Sequence, residues 1–392
     1  MGFLLHGDNL SVMRRIRALG SARFRCAYLD PPFNTGRTFA EYADDRTHAE
    51  WVEMMRPRLE LVRDLLSEDG SCFVEIDDTE IGSLRDLMDR VFGRENRAAL
   101  VTIVRSAATG HKAINAGPVN VTDFLLVYAK DRKKARFRSL VRPRRGYDDA
   151  YRTFLGDRDA PLSRWKFEPL GERVARSLGF SRRGDAVRAM GKLAFTAELE
   201  RFAVEHARNV IRFAQPRYDA VSIAARKLID RSRKTERVLR LKRLNYKDLF
   251  LYAGNRILFL SDKVREMDGT PRLVEPLTNV WDDLGFQGIA REGGVTFVRN
   301  KKPERLIQRV LDLATEAGDW VIDPFVGSGT TAAVAHKMGR EWVGIEKEDA
   351  VYRTAKQRLL RVVSGTDPTG ITRDVGWKGG GRFATRISRG LR

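Results

Sequence analysis

Two cysteines in 392 residues, Cys26 and Cys72, cannot supply the bridges on which small secreted domains depend, and both sit inside apolar, strand-like runs. They read as reduced core residues of a cytoplasmic protein, so neither a disulfide nor a zinc site is expected. No apolar run approaches the ~20 residues of a membrane span. The opening Met-Gly-Phe-Leu-Leu-His-Gly-Asp meets polar residues too soon for a secretory signal and lacks the Ser or Thr that myristoylation uses. No membrane partner is expected. His6, His48, His111, His206 and His336 are scattered without ligand spacing, and no metal is expected. Acidic residues are the remaining shortage: 52 stand against 72 Lys and Arg, a formal charge of +20. That excess favours a polyanionic partner through counterion release, with a merely basic surface as the bland alternative.

What is present is a regular alternation of strands and helices. Phe3 to His6 reads as a strand, Leu10, Met13 and Ile16 as one helical face, and Phe24 to Leu29 as a buried strand. Trp51, Met55, Leu59, Val62 and Leu66 recur at helical spacing before the strand Ser71 to Ile76. The pattern predicts a doubly wound, mostly parallel α/β sheet. It breaks at Lys130, where a run dominated by positive charge opens a helical, Arg-rich middle, and it returns at Lys302-Pro303. The boundaries this sets are a first half over 1–129, a largely helical basic module over 130–280, a second half over 281–363, and a Gly- and Arg-rich tail over 364–392. Most of that tail is expected to be mobile, with a short strand over Arg382 to Ile387 as an addition.

Two loops carry chemistry. Asp323 closes a strand, and Pro324-Phe325-Val326-Gly327-Ser328-Gly329-Thr330 turns the chain tightly into a helix N-terminus where amides can meet a carboxylate. Glu346 ends the following strand, where a carboxylate can hold both hydroxyls of a ribose. A phosphate-gripping loop would need a Lys before its Thr, which is missing. The other loop, Asp30-Pro31-Pro32-Phe33, suits a flat base with a poorly nucleophilic amino group. The Asp30 carboxylate and the Pro31 carbonyl can each accept an amine hydrogen, Pro31 and Pro32 stiffen the loop, and Phe33 can stack on an extruded base. Asp77 and Asp78 adjoin on a strand end and so face opposite sides, which favours a loop role over a metal pair.

These residues resemble the amino-methylating DNA methyltransferases of the permuted β class, especially the modification subunits of type III restriction systems and related adenine-specific enzymes. Leu29 to Gly36 is similar to their catalytic loop, Phe73 to Glu80 to the next motif, and Val127 to Lys130 to the strand before their recognition module. Asn279 to Asp283, Lys301 to Leu306 and the Asp323 to Glu346 block follow in the family's order. Phe33 stands where Tyr is commoner, which keeps the stacking face and removes a hydroxyl. The resemblance implies S-adenosylmethionine as donor, with Asp8 near its adenine, Asp323 and Gly327 near its methionine part, Phe325, Ser328, Gly329 and Thr330 of the same loop also binding it, Glu346 at the ribose, and Lys302 and Pro303 lining the pocket.

The function so implied is site-specific methylation of adenine N6 in duplex DNA, by a homodimer and with a restriction subunit as a further partner. Cytosine N4 or RNA amino-methylation, and a non-catalytic DNA-binding subunit, are the alternatives. DNA contacts are expected from Arg142, Arg144 and Arg145 and, along the Arg-rich helices, from Arg226, Lys227, Arg233 and Lys234.

Overall fold

The computed structural model describes residues 1–20, 24–36, 46–106, 117–267, 269–286, 288–296 and 301–387. They form two units, one of Met1–Leu140 with Thr278–Arg392 and one of Val141–Leu277. The first contains β1 (Gly2–His6), α1 (Asn9–Ala18), β2 (Phe24–Leu29), α2 (His48–Leu65), β3 (Leu66–Ile76), α3 (Ile81–Phe92), β4 (Arg97–Val104) and β5 (Thr122–Ala129). The second contains β6 (Val141–Pro143), β7 (Thr153–Leu155), β8 (Phe167–Pro169), α4 (Leu170–Ser177), α5 (Arg183–Met190), α6 (Lys192–Glu205) and β9 (Val210–Ala214). It continues with α7 (Ile223–Arg233), β10 (Leu239–Leu241), β11 (Leu249–Tyr252), β12 (Asn255–Phe259), β13 (Val264–Met267) and β14 (Thr270–Pro276). The chain then returns to the first unit through β15 (Val280–Trp281), α8 (Glu304–Ala314), β16 (Trp320–Asp323), α9 (Thr330–Lys337), β17 (Glu341–Glu346), α10 (Asp349–Ser364) and β18 (Phe383–Ile387).

The first unit is the doubly wound sheet that the alternation predicts, in the order β15-β4-β5-β3-β2-β16-β17-β1-β18. Only β5 runs against its neighbours. Side chains alternate along each strand, so Ala27 and Leu29 of β2 join the core under α1, α2 and α3, while α8 packs across β2 and β3 from the other set of helices. Helix α2 shows why the sequence folds this way. Thr47 and Glu50 close a reciprocal capping box, worth about 1 kcal/mol, and Trp51, Met55, Leu59 and Val62 are fully buried on one stripe, each contributing roughly 1.5–3 kcal/mol. Strands β2, β16, β17 and β1 are consecutive parallel neighbours. Their carboxyl ends therefore lie side by side, which is where open α/β sheets bind ligands. Among the described residues no helix is long and apolar enough to cross a membrane.

Three expectations change. The module begins at Val141 rather than 130 and ends at Leu277 rather than 280, because the basic run belongs to the first unit: Lys130 Nζ donates to Leu66 O at 2.8 Å and Arg138 N to Leu313 O at 2.9 Å. Nor is the module largely helical. Its helices share the unit with an antiparallel sheet ordered β10-β11-β12-β9-β7-β8 and a smaller one ordered β13-β14-β6, whose short, Arg-interrupted strands barely register as alternation. The tail is anchored as far as 387. Asp367 and Lys337 pair at 2.7 Å, Lys337 and Arg358 each reach Glu304 at 2.8 Å, and all four side chains are fully buried. β18 then adds to the sheet beside β1.

Candidate active site

The loop after β2 is held by a buried charge cluster. Lys302 Nζ lies 3.2 Å from Asp30 Oδ1 and donates to Glu75 Oε1 at 2.9 Å, while the Tyr28 hydroxyl donates to the other Glu75 oxygen. Glu75 is wholly buried in β3 and Lys302 nearly so. Burial works against the Lys302 charge, but Asp30, Glu75 and Asp123 outweigh it and raise its pKa. Burial also pushes the Asp30 carboxyl up to about 7, against the pull of Lys302. The Lys302 ammonium sits 4.6 Å from the centroid of Phe33, a cation–π contact that takes one face of that ring. Trp51 Nε1 donates to Pro32 O at 2.7 Å, which fixes the second proline and leaves the Pro31 carbonyl for another donor. Asn34, at φ 60°, ends the loop by donating to Glu80 Oε1 at 2.7 Å, an oxygen that His48 Nδ1 also reaches at 2.7 Å.

The second half of the site comes from the ends of β16, β17 and β1. Asp323 Oδ1 accepts Phe325 N at 2.9 Å, and burial pushes its carboxyl up to about 7 against hydrogen bonds from Thr331 and Phe325. Glu346 is anchored by three amides: Lys347 N and Glu348 N reach Oε1 at 2.9 Å each, and Gly327 N reaches Oε2 at 3.1 Å. Burial raises its pKa despite those bonds. Asp8 caps α1 through Ser11 N at 3.0 Å and meets Arg58 at 3.2 Å, while Asn9 Nδ2 donates to Pro324 O at 2.9 Å. Arg58 and Asn9 thus tie α2, α1 and the Asp323 loop together.

The two halves meet at one cavity of about 350 Å³. Asp8, the Asp30–Phe33 loop, Lys302, Asp323, Phe325, Gly327, Ser328, Thr330 and Glu346 line it, as the sequence pattern implies. Pro303 and Gly329 do not. Pro303 precedes α8, and Gly329 has φ 82° with a Cβ position 3.3 Å from Ala355, so it serves the close approach of α9 to α10. Sequence reasoning missed Glu75, Tyr28, Arg58 and Asn9. A carboxylate inside the apolar run Cys72 to Ile76 was the available signal for Glu75, since a buried charge requires a partner. Asp77 and Asp78 take loop roles, accepting from Thr79 N and Asn120 Nδ2. Of the histidines, His111 lies outside the described residues.

The basic candidates separate into two groups. Arg142 Nε pairs with Glu275 Oε1 at 2.9 Å and Arg144 lies 3.8 Å from the other oxygen of that carboxylate, across the β6–β14 ladder. Arg226 and Arg233 flank the Tyr218 ring at 5.7 and 5.6 Å, Arg226 also donating to Asp219 O and Arg233 to Asp230. Arg145, Lys227 and Lys234 are exposed.

Residues 24–357 match the model of the N6/N4 DNA methylase family. The chain is 30% identical over 404 residues to the probable type III restriction-modification enzyme HindVI Mod subunit of Haemophilus influenzae, covering 97% of this chain and 53% of that protein. It is 25% identical to the type II methyltransferase M.EcaI of Enterobacter cloacae, over 90% of this chain and 68% of the relative. With the StyLTI Mod subunit of Salmonella typhimurium it shares 25% identity over 86% of this chain and 50% of that subunit. The chain therefore spans about half the length of these two Mod subunits. A crystal structure of an M1.HpyAVI–SAM complex overlays with a TM-score of 0.42 at 12% identity, covering 92% of this chain and all of the other.

Proposed function

The chain belongs to the N6/N4 DNA methylase family, and from that premise we propose that it methylates adenine N6 at a specific site in duplex DNA, with S-adenosylmethionine as donor. The observation that carries this is one cavity shared by the Asp30–Phe33 loop, the Asp323 to Gly327 loop after β16 and Glu346 at the end of β17. The second loop fits the donor's chemistry. Glu346 and Asp8 offer acceptors for ribose and adenine groups, and the buried Asp323, raised to about 7, suits a ligand that brings positive charge. Bound there, the donor supplies a methyl group on a sulfonium.

The remaining work falls to the chain. Asp30, held by Lys302 at 3.2 Å, and the Pro31 carbonyl accept the two amine hydrogens, which turns the nitrogen lone pair away from the ring. Preorganised acceptors of this kind act where charge develops in the transition state. Phe33 offers the face not taken by Lys302 to an extruded base. As the amine loses a proton, the Asp30 carboxylate is the titratable one of these two acceptors, and its raised pKa suits it to that transfer near neutral pH. The basic second unit supplies the DNA contacts, in a cytoplasmic homodimer that can associate with a restriction subunit.

Methylation mapping on DNA from cells expressing the protein tests this reading, with Asp30→Ala as the control. The expected result is N6-methyladenine at one sequence, absent from the control. N4-methylcytosine would move the target to the other base, and unmodified DNA from a folded, cofactor-binding protein would leave a non-catalytic DNA-binding subunit.

A further inference from the structure

The tip of the β10–β11 hairpin in the second unit has a composition that folding does not explain. Leu244 is 100% exposed and Tyr246 75% exposed, two residues apart. Around them stand Lys242, Arg243 and Lys247, the last paired with Asp262 while its side chain stays largely exposed. The tip is nevertheless held in shape. Arg243 Nε donates to Lys247 O at 2.8 Å, its guanidinium lies 5.6 Å from the Tyr246 centroid, and Arg240 Nε pairs with Asp248 at 2.6 Å across the neck. Below the neck, Leu249 and Leu251 pack with Ala225 and Ile229 of α7, and Leu241 packs against them. A single exposed leucine is ordinary. Two bulky apolar groups on a braced tip ringed by cations are complementary to something with flat apolar faces set between anions.

A stack of base pairs between phosphate strands has that character. Resting on the reading that this unit holds duplex DNA, we propose that the tip is a wedge that inserts Leu244 and Tyr246 between base pairs. The cations meet phosphates on either side, and the apolar groups replace part of the stacking that the duplex loses. The braced neck keeps the tip from folding back, so opening the step is met by a side chain already in place.

The test compares wild type, the Leu244→Ser/Tyr246→Ser variant and the conservative Leu244→Met/Tyr246→Phe variant. Single-turnover methyl transfer is measured on a duplex carrying the mapped site and on the same duplex with a mismatch at the target base. Unstacking costs a few kcal/mol per step, and at 1.36 kcal/mol per tenfold the serine variant should be about 10- to 100-fold slower on the intact duplex. On the mismatched duplex it should approach wild type, and the conservative variant should restore the intact-duplex rate. An equal loss on both duplexes, or none on either, overturns the wedge. So does a wild-type oligomer that the serine variant splits in light scattering, because the tip would then join copies of the chain. Failure of wild type to methylate either duplex overturns the DNA reading beneath it, a result separable from every outcome for the variants.

Discussion

Lys302 and Glu75, far apart in sequence, are joined by a 2.9 Å hydrogen bond in the interior beside Asp30. Lys302 is the cation shared by two carboxylates, so its removal leaves both without a counter-charge, with the Tyr28 hydroxyl still donating to Glu75. Lys302→Met is expected to lower stability by roughly 3–5 kcal/mol in urea unfolding and to abolish methyl transfer. A loss below about 1 kcal/mol would show that the carboxylates do not depend on it.

Asp30→Ala tests the catalytic loop itself. Methyl transfer should fall at least about 10²- to 10³-fold, the range for one preorganised transition-state group. Calorimetry should find cofactor affinity nearly intact, because the Asp323, Gly327 and Glu346 anchors are untouched. A variant that keeps most of its activity removes Asp30 from the reaction.

Asp323 gives a pH dependence with a definite sign. Its folded pKa of about 7 lies above the ordinary 3.8, so folding takes up a proton between those values and stability declines as pH rises from about 4 to about 7. A positively charged ligand favours the carboxylate, so cofactor affinity should climb over the upper part of the same interval. Asp323→Asn should lessen the stability trend, to which the raised Asp30 carboxyl also contributes, and flatten the cofactor trend, followed by urea midpoints and titration calorimetry at pH 5, 6 and 8. A cofactor trend unchanged in Asp323→Asn would place the responsive carboxyl elsewhere.

Salt dependence separates the two groups of basic residues. Arg142 and Arg144 answer Glu275, so Arg142→Gln/Arg144→Gln should cost stability, about 0.2–1 kcal/mol for each such half-exposed pair, and leave the slope of log affinity against log salt nearly as it was. Lys227→Gln/Lys234→Gln should flatten that slope by up to ~1.8, at ~0.9 per phosphate. The reverse pattern would place the phosphate path along β6.

Much of the site was legible because each loop follows an apolar strand and carries its chemistry in consecutive residues, as Asp30 to Phe33 and Asp323 to Gly327 do. Glu75 and Tyr28 were not, because their importance depends on Lys302 arriving from a distant segment, which spacing along the chain does not encode. The sheets of the second unit escaped for a different reason: Leu239–Leu241 and Thr153–Leu155 are three residues each, shorter than the stretch over which alternation becomes visible. The tail misled through composition. Gly and Arg suggested mobility, while Asp367 meets Lys337 in the interior, Trp377 Nε1 donates to Val362 O at 2.8 Å and β18 pairs with β1, which together hold the segment down.

The β2–β16 seam has a consequence for how the protein is made. Cys26 and Ala27 pair with Val321 and Ile322, roughly 300 residues later, so on the ribosome the first five strands wait through most of synthesis with the β2 edge unfilled. Such an edge invites pairing with another chain, and contacts of this sequence separation form slowly. Aggregation during expression should accordingly track the time between synthesis of Leu29 and of Asp323, and chains cut before β16 should be far less soluble than chains cut after β17.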